Sequence, residues 1–326
     1  SLNIVYSDAT KGWLPVSDDA VANVPVAPVT QKGIFAFGSG SGNSVLGMSN
    51  LMNSSGVIGN DVSAVGSAYI SVAATSYGFD KAIYAYGYNG SAVVNKSNLI
   101  SNEGVVATDT TGVGTARTSS AGATYGTSGT ALFAYGFPNP GSVPFNTKNL
   151  VSSSGVIAAD ATGVGTARDS LGAAGYGTGL AIFGYGNTAS DNGISTTNLV
   201  SNVGVVGSDV TGVGKVRYAL PAVSYGGDKA VFAFGYESSV GPTAVSNKVS
   251  NTGVVASDTT GVGTVRYHLA ASSYGGDKGA FAYGRQGGTR YNIKNLVSNT
   301  AVVSADVTGV GTARSNLAGA GYSTSA

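Results

Sequence analysis

Residues Ser224 to Gly263 read SYGGDKAVFAFGYESSVGPTAVSNKVSNTGVVASDTTGVG, and variants of this stretch account for nearly everything after residue 32. The clearest ruler within it is an aromatic-x-aromatic-Gly run. It occurs as FAFG, YAYG, FAYG, FGYG, FAFG and FAYG, ending at Gly38, Gly87, Gly136, Gly186, Gly235 and Gly284. Successive glycines lie 49, 49, 50, 49 and 49 residues apart. A period near fifty marks a propeller or a repeat array rather than an ordinary globular domain.

Within one unit the strands follow from pattern. Leu269 to Tyr274 is made mostly of small residues, and Lys278 to Tyr283 follows it. Strict alternation along the second run puts Phe281 and Tyr283 on one face and Ala280 and Ala282 on the other. Neither face is polar, so the sheet is expected to lie between two others, rings filling hollows left by a neighbour's Ala or Gly. Asn198 to Ser201 and Gly204 to Ser208 supply a third and a fourth strand across a tight Asn202-Val203 turn. Four antiparallel strands per unit make a blade.

The tyrosine that ends the first strand recurs at Tyr77, Tyr125, Tyr176, Tyr225, Tyr274 and Tyr322, but no second strand follows the last copy. Conversely, KGIFAFG at Lys32 to Gly38 has no first strand ahead of it. Joining the two ends in register completes one unit from opposite termini, the way a circular propeller avoids an exposed edge strand. The expected fold is therefore all-β, a six-bladed β-propeller of four-stranded antiparallel blades whose ring is closed by strands from both termini. It occupies residues 32–326, with residues 1–31 as an N-terminal tail or connector. An open solenoid of the same units is the rival, and it calls for polar capping repeats that neither terminal unit resembles.

Composition narrows the partners. The chain has 326 residues, 51 glycines and 10% charged residues, with 17 Lys+Arg against 16 Asp+Glu. So even a balance gives no electrostatic reason to expect nucleic acid or an anionic membrane. There are no cysteines, hence neither disulfides nor thiolate metal sites, and no cofactor or metal motif is present. No apolar run reaches the roughly 20 residues a bilayer span needs, and the first thirty residues lack the basic start and apolar core of a signal peptide. In the tail, Asn3 to Tyr6 and Gly12 to Pro15 read as two short strands and VANVPVAPV as an extended linker, either draped on the ring or connecting to something upstream.

Each unit returns through a segment such as Asp109 to Arg117, matched at Asp160 to Arg168, Asp209 to Arg217, Asp258 to Arg266 and Asp306 to Arg314. Asp and Gly there are turn chemistry. The five arginines admit two readings, a guanidinium ring collecting an anion near the axis or a structural partner repeated in every unit. Repetition favours the second, and the first unit breaks the series with Tyr69.

An Arg, a small-residue strand with a Gly, then an aliphatic-aromatic-x-aromatic-Gly strand and a hairpin to the next Arg resemble the kelch repeat, with YGGDKAVFAFG and ARDSLGAAGYG the nearest passages. The likeness covers Lys32 to Ala326; it departs from kelch in having one Gly where that family has a pair and in lacking the blade tryptophan. GVVATDTTGVGTAR and the leader YSDATKGWLPV also resemble repeat-bearing tail-fibre or appendage structural proteins of marine bacteriophages. That resemblance implies an extracellular virion component, made in the host cytoplasm and joined to other virion proteins through its N-terminal segment.

For catalysis the sequence offers little. His268 is the single histidine, and nucleophile-elbow, HExxH and Walker patterns are absent. The recurrent acids, one per unit, read as turn residues, whereas a propeller glycosidase needs two carboxylates facing each other in the axial pocket. Asymmetry lies instead in the loops between second and third strands, which vary far more than the strands. A rigid scaffold presenting variable loops is how binding surfaces are built. Tyr88, Asn89, Tyr236, Glu237, Arg285, Arg290 and Tyr291 are the candidate ligand-binding residues, expected to cluster on one face and to suit a host-surface glycan or a protein receptor. The reading is a non-enzymatic binding or structural module, with glycan recognition ahead of a purely structural or docking role and glycosidase third.

Overall fold

A computed structural model describes residues 4–8, 12–15, 29–138, 143–190 and 192–326. The chain is all-β, with one short 3-10 turn, Ser41–Asn43, among the described residues. The tail holds two strands, Gly12–Pro15 as expected and Ile4–Asp8 where Asn3 to Tyr6 was expected, and they pair antiparallel; most of the VANVPVAPV linker lies outside the described residues.

Six three-stranded antiparallel sheets make up the repeat region. Ala73–Tyr77, Lys81–Ala85 and Ser97–Ile100 form the sheet of the second unit; the others repeat it at Ala121–Tyr125, Gly172–Tyr176, Ala222–Tyr225 and Ala270–Tyr274. The remaining sheet joins the two ends of the chain: Ala318–Tyr322 pairs with Lys32–Ala36, which pairs with Ser49–Met52. Gln31, at the end of the expected tail, takes part in this join, its N–H donating to Ser323 O at 2.6 Å.

The expected fourth strand is reduced to two bridges. Val206 pairs with Val200 and Val210 with Thr197, so the register slips by one residue between them. The slip has a cause in the third strand. The amide of Asn198 reaches across to Gly207 O at 3.0 Å and Asp209 Oδ1 at 2.9 Å, replacing ladder bonds with side-chain bonds and leaving a bulge.

The second strands are the core. Ile34, Phe35, Ala82, Ile83, Phe133 and Phe232 have no exposed surface, and full burial of one such side chain is worth about 1.5–3 kcal/mol. Strict alternation fails at one position. Phe281 packs with Val231, Ala233 and Phe234 of the unit before, whereas Tyr283 packs with Ala280 and Ala282 against Phe35 of the unit after. The two rings thus point to opposite faces, because the second aromatic of every run is left-handed, with φ between 63° and 67° at Phe37, Tyr86, Tyr135, Tyr185, Phe234 and Tyr283. Such a conformation costs of order 1–3 kcal/mol at a non-glycine residue. Burial of a whole ring offsets it, as does an aromatic pair with the next unit: Phe37–Tyr84, Tyr86–Phe133, Tyr135–Phe183, Tyr185–Phe232, Phe234–Phe281 and Tyr283–Phe35, with centroids 5.0–5.7 Å apart.

Two series of backbone hydrogen bonds run from unit to unit. At one end of the sheets Ser119 N donates to Ser71 O, and Ser170, Ala219, His268 and Asn316 each donate to the previous member. Ser71 N then donates to Asn316 O, returning the series to its start, with all six bonds at 2.7–2.9 Å. At the other end the hairpin turns do the same: Gly78 to Gly129, Gly126 to Gly179, Gly177 to Asp228, Gly226 to Asp277, Gly275 to Gln31 and Ser323 to Asp80.

Candidate functional site

Arg117, Arg168, Arg217, Arg266 and Arg314 have no exposed surface. Each guanidinium lies over the ring of its unit's left-handed aromatic, from 3.9 Å at Tyr86 to 4.9 Å at Phe234. Four of the five donate through Nη2 at 2.6 Å to Asn149, Asn198, Asn247 and Asn295 of the following unit, while Arg314 bonds Phe35 O at 3.2 Å. Those asparagines in turn donate to Asp160, Asp209, Asp258 and Asp306 at 2.8–2.9 Å. Asp160, Asp209 and Asp306 also accept a hydroxyl from the unit before, Thr115, Thr166 and Thr264 at 2.6 Å. The arginines are therefore inter-unit clasps and leave no surface for an anion, and the acids do more than shape turns. Tyr69 fills the missing arginine's place by donating its own hydroxyl to Asp109 at 2.8 Å.

Inside the cycle of bonds at the first end is a cavity of about 130 Å³, lined by the same four positions of all six units, for example Ser119–Gly122, Ala219–Ala222 and His268–Ala271. The lining is small and neutral, and no Asp or Glu lines it. Ser71, Ser119, Ser170, Ala219, His268 and Asn316 all take a left-handed backbone here, φ 51–56°. Burial, and then the charge of Arg285, push the imidazole of His268 down to about 3, so it is neutral near pH 7.

Next to this mouth each unit sets the residue after its clasp position against the first residue of the loop that follows its second strand. The pairs are Ile70–Tyr88, Thr118–Phe137, Asp169–Asn187, Tyr218–Tyr236, Tyr267–Arg285 and Ser315–Ser39. Two consecutive units make this rim aromatic. Tyr236 lies between Tyr218 and Tyr267, with ring centroids 5.4 and 5.1 Å away, and Tyr267 reaches His268 at 5.0 Å. Arg285 caps the row, its guanidinium 4.8 Å from the Tyr267 ring. All four residues of the row are partly buried.

Of the seven residues singled out from sequence, Tyr236 and Arg285 meet through Tyr267, and Arg285 is the register partner of Arg290. Tyr291 donates its hydroxyl to Gln286 Oε1 at 3.3 Å on the same hairpin. Glu237 is buried and holds Lys215 Nζ at 3.1 Å. Tyr88 bonds Gly90 O at 2.9 Å, and Asn89 shapes its own turn by accepting from the N–H groups of Ser91 and Ala92. Sequence reasoning missed Tyr218 and Tyr267. The signal was present: VRY stands in two successive units where the others read ART, ARD, ARS and AYI. Among the described residues no group of His, Cys, Asp and Glu could hold a metal ion, and no helix is long and apolar enough to cross a membrane.

A scan against protein-family models finds no match, and a search of the curated proteins finds no relative.

Proposed function

We propose that the six sheets are the blades of a kelch-like β-propeller, and that the aromatic rim of its last two blades binds a glycan. Two hydrogen-bond series that return to their start, a sheet spliced from both termini and a cavity lined equally by six units support the ring. The binding reading is carried by one observation. Clasps and core repeat from unit to unit, whereas Tyr218, Tyr236, Tyr267 and Arg285 gather in one sector, partly exposed, where the loops vary most. Partly exposed rings with polar neighbours suit stacking on a sugar face. A glycosidase of the usual kind needs facing carboxylates, and the axial lining holds neither Asp nor Glu, its polar side chains being Ser, His268 and Asn316. On the sequence resemblance, we place the chain in a virion appendage meeting a host surface.

A glycan array probed with the wild-type chain and with Tyr236→Ala and Tyr267→Ala tests the reading. Specific binding that both variants lose supports it; silence of the folded wild-type chain across a broad array sinks it. A structural or docking role has its own observation in six exposed valines, one on each outer hairpin: Val57, Val105, Val156, Val205, Val254 and Val302, each 56–65% exposed.

A further inference from the structure

The protein has seven arginines, and five are buried clasps. The other two, Arg285 and Arg290, stand directly opposite each other on the small hairpin Arg285–Gln286 and Thr289–Arg290 that leaves the last unit. Like charges directly opposed across a strand pair destabilise it unless something of opposite sign lies between or beside them. No carboxylate does: among the described residues neither arginine has an ion-pair partner within 4.0 Å, whereas the preceding unit's hairpin neutralises Glu237 with Lys215 at 3.1 Å. Arg290 spends Nη2 on Asn43 Oδ1 at 2.6 Å and Ser39 Oγ at 3.2 Å, which fixes its head across the boundary to the first unit. Arg285 is fixed by stacking on Tyr267. Two held guanidinium groups with no carboxylate partner among the described residues, beside a row of tyrosine rings, form a site built for an acid group attached to a ring.

We infer that Arg285 and Arg290 bind the carboxylate of an acidic sugar whose ring lies along Tyr267 and Tyr236. The planar fork of arginine matches a carboxylate with two parallel N–H···O bonds, which a lysine cannot reproduce. The acid group supplies the missing counter-charge, and the sugar ring takes the aromatic edge. His268, whose imidazole feels the charge of Arg285, stays neutral near pH 7 and adds no charge of its own. This inference rests on the glycan reading above and narrows it to one chemical class.

The test uses the full chain on an array holding sialosides, uronate oligosaccharides, their methyl-ester counterparts, sulfated glycans and neutral glycans. Expected is binding confined to carboxylate-bearing members, falling about tenfold or more on esterification and equally in Arg285→Gln and Arg290→Gln, with Arg285→Lys between wild type and Arg285→Gln. Melting temperatures no lower than wild type in the three variants show that the loss is of a contact and not of the fold. Equal binding of acids and their esters, retention of binding in both Gln variants, or binding to neutral or sulfated glycans alone overturns the carboxylate inference and leaves the glycan reading standing. Silence of the wild-type chain on every class overturns both.

Discussion

Arg168 sits without exposed surface over the Tyr135 ring at 4.2 Å, bonded to Asn198 at 2.6 Å. Lysine carries the charge but neither the planar stack nor the second donor. Arg168→Lys should therefore lower unfolding stability by about 2–3 kcal/mol, read as a shifted denaturation midpoint; a change under about 0.5 kcal/mol would mean that the clasp is ornamental. His268 gives a second prediction at this scale. Its folded-state value of about 3 lies below the ordinary 6.5. Below about pH 6.5 the unfolded chain thus takes a proton that the folded chain refuses, and stability falls from there toward pH 3. Asn316 occupies the matching position in the same series of backbone hydrogen bonds, so His268→Asn should flatten the decline of melting temperature between pH 6.5 and 4.5.

At the scale of the element, the left-handed aromatic that sends two rings to opposite faces must be followed by glycine. Gly136 has φ +113°, and an added Cβ would lie 2.9 Å from Thr118 O and 3.0 Å from Ser120 Cβ. The carbonyl is held in the rim and cannot yield. Gly136→Ala should cost about 1–3 kcal/mol, measured by chemical denaturation, while alanine at Gly227, which has nothing within 4 Å, should cost only its backbone strain. The Asp latches belong to this scale as well. Partial burial alone would raise Asp61, Asp109, Asp160, Asp209 and Asp306, but hydrogen bonds from Thr, Ser, Tyr and Asn outweigh it and hold each below the ordinary 3.8. Their stabilisation is complete above about pH 4 and is lost as pH falls through the lowered values. Acid unfolding should therefore steepen below pH 4, where loss of the Asp latches adds to the shallower decline from His268 that begins near pH 6.5. A melting temperature that stays level from pH 4 to pH 2 would contradict this.

For the whole molecule, the pairing of Ala318–Tyr322 with Lys32–Ala36 leaves the first sheet without an open inner edge. Removing residues 318–326 would uncover that edge and delete Ser323, which ties the spliced hairpin to Asp80 at 2.7 Å. The truncated chain should lose its cooperative melting transition and associate through the free edge, seen as a rise in mass by light scattering. A monomeric, cooperatively melting truncation would argue against the proposed propeller and for an open array of units.

How much of this was legible in the sequence differs by kind of contact. Strand content, the six-fold period and the splice of the two ends were legible because each is written in a period along one chain: AVFAFG and its copies bury their residues wherever they stand. Tyr236 and Arg285 could be picked out as departures from that period, but their meeting through Tyr267 could not. Face assignment failed at Tyr283 because a left-handed residue breaks the two-residue alternation, and nothing local distinguishes it from an ordinary strand residue. The fourth strand failed because Asn198 competes for the carbonyl of Gly207, nine residues away. The repeat, the strands and the ends that meet are thus properties of the order of residues along the chain. That the arginines are clasps rather than a ligand ring, and which tyrosines stand together, emerges on folding, because both depend on contacts between units about fifty residues apart, which no periodicity encodes.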